Sequence, residues 1–245
     1  VEQANQPVAT AGFYLLLPDP NVHGFDAPAA PASDPAAQAA YEKALTTLTS
    51  LTAIRRTEHI GSGRDALVIA EYAWTTGTNG HPPSFESETL FSGSFVPLPD
   101  GSPPAPPMTN AYHSVSVADQ SWQVVDGKWL EQSPVMYLPP SEWGGTYTGA
   151  QEFQFGTTEI IDGEECQIIT FHTPNAETQS EAWFAWWVDK DSGQVRQATM
   201  VANQHYMVWN YRDFNGDFVI QGPPAPSIPA TPATPSASPA ATPAR

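Results

Sequence analysis

The side chains with the most chemical potential are the eight tryptophans, Trp74, Trp122, Trp129, Trp143, Trp183, Trp186, Trp187 and Trp209. Four of them fall in one stretch, Glu181 to Ile220, together with two of the four methionines and one of the six histidines. Large rings among few charges suit the wall of an apolar pocket, because each buried ring contributes a few kcal/mol and ligand pockets are mostly apolar. The plainer reading makes the same rings the core of a two-sided sheet. In a strand, Trp183 and Trp187 share one face while Phe184 and Trp186 share the other. The stretch also puts His205 and Met207 on one strand face, with Trp209 next along it and Met200 close in sequence. Imidazole plus thioether without thiolate suits copper at an extracytoplasmic site. The plainer alternative is a surface histidine beside a core methionine.

Catalytic signatures are absent from the sequence. There is no GxSxG, HExxH or P-loop, and Gly61-Ser-Gly63 reads as a strand-end turn. Glu86 and Glu88 share a strand face and Glu164-Glu165 flank a turn, but a glycosidase needs two carboxylates placed across a cleft. Solvated face charges explain them. Asp189-Lys-Asp191-Ser-Gly193 begins like a calcium loop but lacks the distal ligands, so a hairpin turn accounts for it. The sequence thus points to binding rather than to an enzyme.

Composition narrows the class. Nine Lys and Arg stand against 26 Asp and Glu, a net charge of −17, which argues against nucleic acid and anionic membrane surfaces as partners. Cys166 is the single cysteine, so no intrachain disulfide or CxxC motif exists, and its apolar setting describes an inert buried thiol. Proline, 26 residues in all, crowds with Ala, Thr and Ser toward both ends, as in secreted or wall-exposed chains. No apolar run approaches the ~18 residues of a membrane span. These features imply an extracytoplasmic setting, cell-surface, periplasmic or secreted, with a membrane tether as an option.

The elements that position these residues follow from periodicity. Residues 1–33 form a Pro/Ala-rich leader with one apolar island, Phe13 to Leu17. Asp34-Pro35 is a helix start, with Asp34 as cap and Pro35 at the first helical position. Tyr41, Leu45, Leu48 and Leu51 then make one apolar helical stripe. After Thr52 the period becomes two. Ile54–Ile60, Arg64–Thr76, Phe85–Ser92, Tyr112–Ala118, a Trp122–Trp129 hairpin with Asp126-Gly127 as a type I′ turn, and a Thr157–His172 hairpin around Asp162-Gly163 all read as strands. Strand Arg64–Thr76 looks apolar on both faces. Val96–Met108 is a proline-laden loop, and Leu138–Ala150 a loop or short helical turn over one mouth of the sheet. Residues 34–222 thus make a single mainly β (α+β) domain, a helix on a curved antiparallel sheet of about nine to eleven strands that forms a partly closed barrel. Residues 223–245 form a disordered Pro/Ala/Thr/Ser-rich tail.

The order of these features resembles the lipoprotein-carrier superfamily, the LolA-like and LppX/LprG-like extracytoplasmic domains, across about residues 35–223. It rests on the leading helix (Tyr41, Ala44-Leu45, Leu48, Ser50-Leu51), the Trp122/Asp126-Gly127/Trp129 hairpin and Ile160-to-Ile169. Trp187-Val-Asp with Ser192-Gly193, then Tyr211-x-Asp-Phe-Asn215, complete it. The resemblance implies a half-barrel wrapped on helices around an apolar cavity for acyl chains or lipoprotein lipid groups. Such carriers place further helices between strands, whereas Leu138–Ala150 is the only comparable insertion here. The expected ligand-binding residues are Tyr41, Leu45 and Leu48 from the helix, and Trp74, Trp122, Trp183, Trp187 and Trp209 from the sheet. The alternatives are a sensory or copper-handling ectodomain of a membrane-anchored parent protein, with His205 and Met207 as ligands, and a structural interaction module. No other cofactor is expected.

Overall fold

A helix, a long antiparallel sheet and a short 3₁₀ helix account for the described chain. The computed structural model describes residues 32–62, 66–77, 80–92, 110–133, 138–174, 181–202 and 205–224. The Phe13–Leu17 island, the Val96–Met108 loop, Met136 and the tail beyond 224 lie outside them.

Helix α1 spans Pro35–Thr49. The Asp34 carboxylate accepts from the Ala36 N–H at 2.8 Å, and Pro35 opens the first turn, as the sequence predicts. The buried face is Ala37, Tyr41, Ala44 and Leu48. Leu45 is only half-buried, and Leu51 is buried beyond the helix end. Spacings of four, three and four let the two alanines bring the helix close to the sheet while Tyr41 and Leu48 fill the space between.

Eleven strands follow: β1 (Ala53–Ser62), β2 (Ala66–Thr75), β3 (Ser84–Ser92), β4 (Asn110–Val117), β5 (Gln120–Val125), β6 (Lys128–Gln132), β7 (Gln151–Ile161), β8 (Glu164–Thr173), β9 (Ala182–Asp189), β10 (Val195–Ala202) and β11 (His205–Arg212). They form one sheet in the order β6-β5-β4-β3-β2-β1-β11-β10-β9-β8-β7, antiparallel throughout and not closed on itself. Two meanders are thus joined at the middle by the pairing of β1 with β11. Asp126-Gly127 and Asp162-Gly163 all have positive φ, the backbone a type I′ turn requires. The Asp189–Gly193 segment is a hairpin turn, with Asp189 Oδ1 accepting from the Asp191 and Ser192 N–H groups.

The two edges are guarded differently. β6 has five residues. β7 has eleven and is broken by irregularities between Gln151 and Gln154 and between Phe155 and Thr158. The chain entering α1 covers part of it, with Asp34 N donating to Phe153 O at 2.8 Å and Gln154 Nε2 to Ala32 O at 2.7 Å. The expected Leu138–Ala150 turn is a 3₁₀ helix, Pro140–Tyr147, which sends Trp143 and Tyr147 into the core.

The main core lies between α1, the 3₁₀ helix and one face of the sheet, the inner face. On the outer face, the chain after β11 runs back across the early strands. Asn215 ties it to β1 by donating to Ala53 O at 2.7 Å, and Arg55 stacks over Phe218 at 4.5 Å. Ile220 packs with Ala73 and Val115, and Gly222 lies on the Trp122 ring. This strap buries Ala73 from outside, whereas Leu67 on the same face of β2 is 41% exposed, so the expectation of burial on both faces holds at one end of that strand only.

Candidate functional site: the inner face and its groove

Strand register decides which rings look inward. On β9, Phe184 and Trp186 face α1; Trp183 and Trp187 face out. Tyr41 meets Phe153 at 4.7 Å and Trp186 at 5.1 Å, while Tyr147 meets Trp186 edge-on at 4.8 Å and Phe171 stacks on Phe184 at 5.0 Å. Further along, Trp74 packs on Trp143 at 5.1 Å and on Phe85 at 5.0 Å. Such offset and edge-on pairs add about 0.5–1.5 kcal/mol each beyond their buried area.

A polar cluster sits in the middle of this wall. Glu58 is 5% exposed and accepts from Trp209 Nε1, from Tyr72 OH at 3.0 Å and from Arg56 at 3.0 Å. The Arg56 guanidinium lies 4.9 Å from the Tyr72 ring, 5.1 Å from Trp74 and 5.3 Å from Trp143. Tyr147 and Tyr211 share a hydrogen bond, and burial pushes both phenols up from their ordinary range. Burial, with Glu42 adding to it, raises Tyr41 to about 12. Burial lowers His205, which the Glu58 charge opposes. Raised phenols and a compensated Arg56–Glu58 ion pair thus line this part of the inner face.

Space opens at one margin of the wall. A groove of about 230 Å³ runs between α1 and strands β7 to β9, floored by Ala40, Phe155, Ile169 and Val188, with Lys43 and Lys190 at the rim. Lys190 pairs with Glu165, whereas Lys43 has no acidic partner among the described residues.

No protein-family model matches the sequence, and comparison with curated proteins finds no match. Solved structures do match. The lipoprotein LppX of Mycobacterium tuberculosis superposes with a TM-score of 0.52 at 16% identity, covering 77% of this chain and 100% of that one. LprF of Mycobacterium bovis gives 0.56 at 11% identity, with 79% and 99% covered. The fold is that of LppX and LprF. It is the LppX-like half-barrel that the order of sequence motifs implies.

Within this LppX-like sheet the sequence-predicted residues divide. Tyr41, Leu48, Trp74 and Trp209 are buried together in the core between α1 and the inner face, and Leu45 packs against it. Trp122 lies on the outer face beneath the strap. Trp183 stacks there on His172 at 5.0 Å, and the Trp187 indole donates to Glu159 at 2.8 Å. These three are not brought to the wall that α1 faces. His205 and Met207 do face inward, with Met200 the register partner of Met207. Sequence reading missed Phe184 and Trp186, the other face of the same strand, and the pair Arg56 and Glu58. Two charges at i and i+2 on the strand face that also carries Ile54 and Ile60 are the signal that could have found that pair.

Proposed function

We propose that this chain is a non-enzymatic extracytoplasmic binding domain that holds an apolar ligand, an acyl chain or lipid, between α1 and the inner face of the sheet. The observation that carries this reading is the groove beside the helix, floored by Ala40, Phe155, Ile169 and Val188 and rimmed by Lys43, which has no acidic partner among the described residues; Asp189, also in its lining, pairs with Arg196. At about 230 Å³ it is smaller than the ~300–1,000 Å³ of pockets that enclose whole drug-sized ligands, so it suits one end of a chain. Lys43 then faces the polar or anionic end. The likeness to the lipoprotein LppX supports this at the level of fold. An extracytoplasmic setting agrees with the Pro/Ala/Thr/Ser-rich ends, and among the described residues no helix is long and apolar enough to cross a membrane.

Native mass spectrometry of the gently purified protein, followed by titration of the delipidated chain with a fluorescent fatty acid, tests the proposal. Ala40→Trp fills the groove from the helix side and should weaken binding by about tenfold or more with the thermal midpoint retained. Neither copurified lipid nor fatty-acid binding, or full binding by the Ala40→Trp variant, overturns it.

A further inference from the structure

We propose that Glu86, Glu88 and His113 form a binding site for a divalent transition-metal cation, zinc foremost, on the outer face of the sheet. The site is independent of the groove beside α1. Strand geometry builds it: Glu86 and Glu88 are two residues apart on β3 and share a face, and the ladder pairs Glu88 with His113 of β4. One donor atom from each of the three lies within 4.8 Å of the others. His113 Nε2 stands 2.9 Å from Glu86 Oε1 and 3.9 Å from Glu88 Oε1. The Trp129 ring packs edge-on against the imidazole at 4.7 Å and sets its plane. Donors bound to one zinc at about 2.0–2.2 Å stand about 3.3 Å apart, so side-chain rotations within an already ordered ladder complete the site.

Charge favours occupancy. Most of the basic side chains described are spent elsewhere, Arg55 on Asp213, Arg56 on Glu58, Lys190 on Glu165, Arg196 on Asp189 and Arg212 on Glu71. Glu71 is the cross-strand neighbour of Glu88 and carries its own arginine at 3.3 Å. Among the described residues, Glu86 and Glu88 have only the imidazole of His113. Two like-charged carboxylates on one strand face destabilise each other, and a dication relieves that repulsion. The donor set, one imidazole nitrogen and two carboxylate oxygens, selects zinc and its neighbours over calcium, which takes oxygen ligands. A groove of about 470 Å³, lined by Glu71, Glu88, Leu90 and His113, opens beside the cluster and leaves a coordination position to water or to a ligand atom.

The test uses the full chain without a polyhistidine tag. Zinc is titrated in competition with a chromophoric chelator, and cobalt is titrated with tryptophan fluorescence as readout. Wild type should bind one zinc per chain, His113→Ala and Glu86→Gln/Glu88→Gln should each weaken it by at least about tenfold, and Glu71→Gln should stay within about threefold. Cobalt should quench a share of fluorescence that Trp129→Phe removes, a local signature that a remote site would not give. His113, Glu86, Glu88, Glu71 and Trp129 lie on the outer face, and circular dichroism checks that each variant remains folded. Wild-type affinity in either ligand variant overturns the proposal. So does zinc binding that is abolished by His205→Ala instead.

Discussion

Glu58→Gln probes the inner face most sharply, because it changes one atom in a buried network. The carboxylate takes donors from Trp209, Tyr72 and Arg56 at 5% exposure. An amide has one accepting oxygen, and its NH₂ must point at a donor. Arg56 is left as a cation among three rings with no carboxylate beside it. Removing one partner of a buried pair costs about 3–5 kcal/mol. The Arg56 side chain keeps 16% exposure and its ring contacts survive, which places the loss at the lower end, about 3 kcal/mol. In urea, with a slope of about 2 kcal/mol/M, the midpoint followed by tryptophan fluorescence falls by about 1.5 M at unchanged slope. Removing both charges in Arg56→Met/Glu58→Leu should recover most of the loss, since an apolar pair leaves no uncompensated charge. A cost below about 1 kcal/mol for Glu58→Gln, or a double variant weaker than either single change, refutes the argument.

Two further outcomes follow from the geometry. Trp186→Ala empties the centre of the ring cluster and should cost about 3–5 kcal/mol, whereas Trp187→Ala, on the half-buried outer face, should cost about 1 kcal/mol; equal losses by denaturant unfolding would contradict the assignment of faces. Burial pushes the Asp189 carboxyl up, but the Ser192 N–H, the Arg196 guanidinium and the remaining donors outweigh it and bring it down from 3.8 to about 2. A depressed carboxyl contributes stability above its unfolded value, so about 2 kcal/mol present above pH ~4 is lost as the pH falls toward ~2. Thermal midpoints of Asp189→Asn against wild type across that range should converge as the pH drops.

How far the sequence could be read depended on whether a signal was local. The α1 cap, the two Asp-Gly turns and the period-two strands are written in neighbouring residues, and the structure has each of them. The order of motifs also carried the half-barrel. Periodicity cannot say which face of a two-sided strand meets the helix. Trp183 and Trp187 are as apolar as Phe184 and Trp186, and only the pairing of β9 with β8 and β10 orients them. The helix stripe looked like Tyr41, Leu45 and Leu48 because alanine is common on either side of a helix, yet Ala37 and Ala44 make the close contact. β7 begins at Gln151, six residues before the predicted start at Thr157, since its irregularities and Gly156 break the alternation that marks a strand. His113 and Glu88 are 25 residues apart in sequence and meet only through strand pairing.

The pairing of β1 with β11 bears on how the molecule is made. Arg55 aligns with Arg212 and Glu58 with Trp209 at the middle of the sheet, so the central ladder joins the first and last of the described strands. Each meander can zip from its own hairpins, but loop-closure entropy for the central ladder is spent late and over nearly the whole domain. Until β11 has emerged, β1 and β10 are open edges that can pair with other chains. Assembly should therefore be slow for this size, in the millisecond-to-second range or longer, and a chain cut before His205 should aggregate rather than fold to a smaller half-barrel.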